Sequence, residues 1–135
     1  MGRLNKNKEY YSDVEKTTQV IKKEINSGLK ILNSIDQDIV TFFGSHKINE
    51  NSQYYKHCED LAFELGKKGF AILSGGGPGI MKAANSGATK ARVPSIGLKA
   101  ELLEDEKVKD KIFTHEDSYH FFLILIAFLH PLLFS

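Results

Sequence analysis

A single cysteine, Cys58, leaves the chain without a partner for an intrachain disulfide, so packing and hydrogen bonds must hold the fold. That usage fits a reducing compartment, and a cytoplasmic location is expected. Net charge is equally scarce. The 18 Lys and Arg against 17 Asp and Glu leave a formal +1. Such a balance gives no electrostatic footprint for nucleic acid or an acidic membrane, and neither is an expected partner. Met1 to Tyr10 is polar and basic with no apolar run behind it, so no secretory signal is expected. The five histidines and Cys58 show no close metal-ligand spacing such as H-E-x-x-H. No metal and no cofactor are expected. One long apolar run exists, Phe121 to Leu129, resuming after His130 and Pro131 as Leu132-Leu133-Phe134. It is shorter than the roughly 20 residues of a membrane helix, and Pro131 interrupts it. A buried element is the plain reading of it. What remains is a chain of 135 residues, 41% apolar and 26% charged, which suits one globular domain with a real core.

Hydrophobic periodicity orders the chain. From about Tyr11 to Asn33, the residues Val14, Thr18, Ile21, Ile25, Leu29 and Leu32 recur at spacings of three and four, one apolar stripe of a helix. Two readings stand for it: an extra helix packed on the core, or a partner-docking arm. Ile39 to Phe43 reads as a strand, near-continuously apolar as in a sheet covered on both faces. It ends in the small turn Gly44-Ser45-His46. Ser52 is the expected N-cap of a helix from about Gln53 to Lys68, with Tyr54, Cys58, Leu61, Ala62 and Leu65 on its buried face. Gly69 ends that helix. A second strand, Phe70 to Leu73, leads to a helix from Gly79 to Lys90. A third strand, Ser95 to Leu98, follows Pro94. Glu101 to Lys111 has some helical pattern, and Ile112-Phe113 is a candidate fourth strand before His115, Glu116 and Asp117. Alternating strands and helices with short turns specify an α/β fold with a parallel sheet.

The stretch Ser74-Gly75-Gly76-Gly77-Pro78-Gly79-Ile80-Met81 organises this pattern. So much glycine is costly in a packed element. It serves where backbone turns sharply or lies close to a ligand. Pro78 fits a first helical turn. Strand, glycine turn and helix N-terminus together aim free N–H groups and a positive dipole end at one spot, a site for phosphate. The loop is neither G-x-G-x-x-G, because position 80 is Ile80, nor a Walker A loop, because no Gly-Lys-Ser/Thr closes it. In parallel sheets ligands bind beyond the carboxyl ends of the strands. The Gly44–His46 turn and the Gly75–Gly79 loop both belong at that edge. Ser45 is there either as a ligand-binding hydroxyl or as a turn former. No neighbouring acid in sequence suggests a serine triad. Glu116 and Asp117 read as a carboxylate pair or, more simply, as a solvated loop.

Gly44-Ser45-His46, Tyr54, the Leu61–Leu65 helix, Ser74 to Met81 with Ala83-Ala84-Asn85-x-Gly87-Ala88, and Ser95-Ile96-Gly97-Leu98 together resemble the LOG (Lonely Guy) family. Its members are also labelled "possible lysine decarboxylase". The resemblance runs over residues 38–122. It implies a Rossmann-like parallel sheet with helices on both faces, here preceded by an N-terminal helical extension over 1–37. It also implies hydrolysis of the N-glycosidic bond of a nucleoside 5′-monophosphate, such as a cytokinin riboside monophosphate or AMP. The products are free base and ribose 5-phosphate. Gly44, Ser45, Gly75, Gly76, Gly77, Gly79 and Asn85 are the implied substrate- and phosphate-binding residues. A nucleoside monophosphate is the implied partner, and a homodimer is implied for a full-length relative.

The departures from the family pattern carry expectations too. Lys82 stands where the family has Glu, so no acid role passes to that position. The family continues past His120-Phe121-Phe122 with Arg-Lys and a second loop, Pro-Gly-Gly-x-Gly-Thr-x-x-Glu, which supply its catalytic Arg and Glu. Residues 123–135 instead form an apolar tail with neither. No catalytic residue is therefore assigned. A shifted reading frame or truncation after Phe122 is the expected origin of the tail, with an anchor or docking tail as the alternative. The expectation is an inactive chain that retains the binding half, or a non-catalytic nucleotide-binding module.

Overall fold

The computed structural model describes residues 13–100 and 112–119. Helix α1 spans Val14–Asn33. Asp13 caps it, its carboxylate accepting from the Lys16 N–H at 3.0 Å. Four strands follow among the described residues: β1 (Ile39–Phe42), β2 (Ala71–Ser74), β3 (Ser95–Ala100) and β4 (His115–Tyr119). They form one parallel sheet in the order β1-β2-β3-β4. Helix α2 (Gln53–Lys67) joins β1 to β2, and α3 (Ile80–Ala91) joins β2 to β3.

The alternation of side chains along each strand divides the core in two. On one face Ala71, Leu73, Ile96, Leu98 and Tyr119 pack with Leu32 of α1. On the other Ile72 packs with Ala62 of α2 and with Ala84 and Ala88 of α3. The predicted Rossmann-like α/β architecture, a parallel sheet with helices on both faces, is the one found. Among the described residues no helix is long and apolar enough to cross a membrane. The predicted tail from Phe121, the 101–111 segment and the start of α1 at Tyr11 lie outside the described residues.

Local details correct several expectations. The apolar stripe of α1 runs its whole length, but only the C-terminal part reaches the core: Leu32 is buried, while Val14 is 76% exposed. In α2 the buried line is Tyr55, Ala62 and Gly66, with Cys58 and Leu65 packed beside it. Tyr54 and Leu61, predicted inside, are 62% and 54% exposed. Both faces of α2 carry apolar residues, and α3 packs closely on the one that carries Ala62 and Gly66. Ser52 caps α2 as predicted, accepting from the Tyr54 N–H at 3.2 Å. Gly69 (φ 95°) ends it: its N–H donates to the Gly66 carbonyl and the Phe70 N–H to that of Leu65. These two bonds form a Schellman motif.

The fourth strand is not Ile112-Phe113 but His115–Tyr119, paired with Ile96–Ala100 of β3. Glu116 and Asp117 thus lie on a strand and point to opposite faces, which rules out a paired role. Glu116 reaches Lys99 on the α3 side. Asp117 accepts from the Ser27 hydroxyl of α1 on the other. Nearby, the Tyr119 hydroxyl is buried beside Ser27 and Asp117, and no hydrogen bond of good geometry to it is found among the described residues. Burial first, and then the Asp117 charge, hold that phenol far above its ordinary range.

Candidate functional site

The two turns expected at the carboxyl edge meet there. The Ile80 N–H, first in α3, donates to the Ser45 carbonyl at 3.1 Å. Gly79 caps the helix without a side chain, at φ 69° and ψ −131°. A Cβ at Gly79 would collide with the Ser45 carbonyl oxygen and the His46 backbone, and one at Gly44 with the Ile80 side chain. Glycine is therefore required at 79 by conformation and contact together. Pro78, expected in the first helical turn, sits one position before that cap. The first helical residue is Ile80, because the unusual Gly79 conformation delays the helix.

The seven predicted binding residues divide between surface and support. Gly44 and Ser45 are exposed. The Ser45 hydroxyl accepts from the Lys47 N–H at 3.1 Å, and its O–H still has a proton to donate. Gly75 is half-buried, whereas Gly76, Gly77 and Gly79 are buried in the turn. Gly76 has φ 69° and lies against the aliphatic stem of Lys99. Asn85 is fully buried on α3 and faces inward. Its carbonyl oxygen accepts from the Ser74 hydroxyl, which itself accepts from the Gly76 N–H at 3.0 Å. Its amide nitrogen donates to Ser95 Oγ at 2.9 Å and to the Ile96 carbonyl at 3.2 Å. All of the Asn85 side chain is spent on the protein, so it acts on the site through the loop it holds.

Ser95 extends this buried network. Its hydroxyl reaches the Ile112 carbonyl at 2.5 Å, and its N–H donates to Thr114 Oγ1 at 2.9 Å. The glycine loop, α3, β3 and the approach to β4 are thereby tied to one set of hydrogen bonds. Such fully satisfied buried networks rigidify what they join.

Charge at the rim comes from two lysines, neither predicted. Lys82 stands in the first turn of α3, where the helix dipole disfavours a cation, and pairs with Glu50 at 2.5 Å. Lys99 projects from β3 beside the loop. It lies 2.6 Å from Glu116 Oε2, with its ammonium 4.8 Å from the centre of the Phe113 ring. A lysine in a strand gives no sequence signal of its own. Its position two residues beyond Gly97, the last β3 residue paired with β2, is what marks it. Cys58 donates to the Ile80 carbonyl at 3.5 Å. Burial, helped by the Glu59 charge, pushes its thiol up to about 11, so it is a packing residue and not a thiolate nucleophile at neutral pH.

Comparisons with known proteins meet this geometry. No curated protein matches the chain. Among solved structures, the X-ray structure of TM1055 is similar at 21% identity with a TM-score of 0.45, over 59% of this chain and 45% of that one. The chain thus spans less than half the length of that structure. Residues 37–124 match the SLOG cluster4 family, a stretch that contains the whole sheet, both turns and the Asn85 network. With the glycine loop, the Ser45 turn and the parallel sheet in place, the chain belongs to the SLOG cluster4 family, a LOG-like group built on a Rossmann-like fold.

Proposed function

We propose that this chain holds a nucleoside 5′-monophosphate across the Gly44–His46 turn and the Gly75–Gly79 loop. It would serve as the nucleotide-holding part of a LOG-type phosphoribohydrolase. The reaction of that type cleaves the N-glycosidic bond of AMP or a cytokinin riboside monophosphate to free base and ribose 5-phosphate. One observation carries the reading: the Ile80 N–H on the Ser45 carbonyl fuses two turns, distant in sequence, into one wall at the carboxyl edge. The Ser45 hydroxyl and the glycine-loop backbone supply polar groups there, and the Asn85 network keeps them in place.

Hydrolysis needs more than this wall. A sugar that loses its base develops positive charge, and the transition state calls for a carboxylate beside the ribose. Lys82 stands where the family has an acid, and nucleotide capture is the part of that reaction assigned to these residues. The homodimer implied for a full-length relative belongs to the same reading, with the exposed Tyr54 and Leu61 of α2 as an apolar surface open to such pairing.

Calorimetry with AMP, run beside a chromatographic assay for released adenine, tests the reading. Saturable binding with no adenine supports it. Release of adenine at enzymatic rates would replace capture with catalysis, and absence of binding would remove the nucleotide reading altogether.

A further inference from the structure

We propose that Lys99 is the cation that grips the 5′-phosphate at this site, and that Glu116 is the counter-ion the phosphate displaces. The inference rests on the nucleotide-holding reading above and adds the ligand group that Lys99 would take.

Three features of the structure converge on Lys99. The first is its place. β2 ends at Ser74, level with Gly97 of β3, yet β3 continues through Ala100. Lys99 therefore overhangs the carboxyl edge where the glycine loop leaves β2. By strand alternation it shares the α3-side face with Ser95 and Gly97. The second is contact. Its stem lies against Gly76, whose positive φ brings the loop backbone down onto it. Phe113, packed beneath Gly97, supports the ammonium from below. The stem is thus clamped between loop and ring, and the charged end is presented beside the loop at little cost in side-chain freedom.

The third is the way its charge is held. The partner carboxylate, Glu116, is the more exposed of the two, 55% against 22% for Lys99. Solvent-accessible ion pairs contribute little and exchange readily. A phosphate monoester dianion carries more charge and more acceptor oxygens than a carboxylate, and a lysine binds it as a point charge. Phosphate arriving at the loop can take the ammonium while Glu116 turns to water. The first amide of α3 is already committed to Ser45, which leaves a side-chain cation as a natural source of the missing positive charge.

The test compares Lys99→Met, Lys99→Arg and Glu116→Gln with the parent chain by calorimetry, using AMP and adenosine as separate ligands. Methionine keeps the apolar stem beside Gly76 and removes only the charge. Loss of one charge-assisted contact predicts about tenfold weaker AMP binding for Lys99→Met. Adenosine binding should be unchanged, and Lys99→Arg should retain most of the AMP affinity. Glu116→Gln frees the ammonium, and a gain of about two- to fivefold for AMP is expected. Lys99→Met that binds AMP like the parent, or loses AMP and adenosine equally, overturns the assignment while the nucleotide-holding reading stands. Unchanged or weakened AMP binding by Glu116→Gln overturns the displacement by the same measure. A parent chain that binds no AMP sinks both.

Discussion

The backbone N–H of Ile80 donates to the backbone carbonyl of Ser45 at 3.1 Å, joining the start of α3 to the turn after β1. Gly79 makes that bond possible, since any Cβ there would strike the Ser45 carbonyl oxygen. Gly79→Ala is predicted to destabilise the fold by about 1–3 kcal/mol through backbone strain alone and to abolish AMP binding. Gly77→Ala is the control. Its Cβ would meet the flexible end of the Met81 side chain, the methyl carbon at 2.6 Å and the sulfur at 3.4 Å, so the fold should persist. Thermal melts of the two variants check the fold prediction, and equal melting would refute it; an AMP titration of Gly79→Ala checks the loss of binding.

Asn85→Ala should be among the most damaging substitutions that do not touch a ligand. It orphans buried groups of Ser74, Ser95 and Ile96, at about 1–3 kcal/mol for each group left unsatisfied. Asn85→Asp should fare no better, because an oxygen replaces the amide nitrogen that faces the Ser95 hydroxyl and the Ile96 carbonyl. Urea denaturation measures both. A loss below about 1 kcal/mol for Asn85→Ala would contradict a network role.

Helices α2 and α3 cross at Gly87. A Cβ there would lie 2.8 Å from Ala62 Cβ and 2.8 Å from the Phe63 nitrogen, and closer still to the Glu59 carbonyl oxygen. Backbone cannot yield as a side chain can. Gly87→Ala is expected to cost about 1–3 kcal/mol despite alanine's better helix propensity. A stabilised variant in chemical denaturation would show that the helices are free to separate.

Glu59 gives the same helix pair a pH dependence. Burial pushes its carboxyl up, but hydrogen bonds from Lys90 at 2.5 Å and Ser86 at 2.5 Å, with the Lys90 charge, outweigh this and hold it below 4.5. A depressed carboxylate stabilises the fold above its unfolded value and ceases to do so as pH falls through its folded value. Glu59→Gln should therefore be destabilised near neutral pH, and the deficit should shrink as pH drops below about 4.5. Melting curves across that range test the sign. A deficit that grows on acidification would rule the linkage out.

Tyr119→Phe is expected to be neutral or stabilising by up to about 1 kcal/mol. It removes a buried hydroxyl with no well-formed hydrogen bond among the described residues while keeping the ring in the core. A clear loss of stability in denaturant titration would mean that the hydroxyl is satisfied in solution.

Much of this protein is legible from local pattern. Turn chemistry marked the ends of elements: Ser52 caps α2, Gly69 closes it, and the glycine run after Leu73 makes the turn into α3. Strand and helix periods and short connections were enough for a parallel sheet, since such signals depend on residues a few positions apart. The same stretch, with Ala83-Ala84-Asn85-x-Gly87-Ala88, carried the family.

Long-range packing settled the rest. Tyr54 and Leu61 have the right period for a buried face, yet α3 packs on the neighbouring face with Tyr55, Ala62 and Gly66, where Gly87 of α3 approaches Ala62 closely. Ile112-Phe113 is more apolar than His115–Tyr119, but pairing with β3 made the latter the strand. The inward turn of Asn85 follows from the polar groups of β2 and β3 that meet it across the sheet. The contact of Lys99 with Gly76 arises because β3 outruns β2. Short-range preferences choose the elements. Which side chains face the site depends on how far and how closely those elements run past one another.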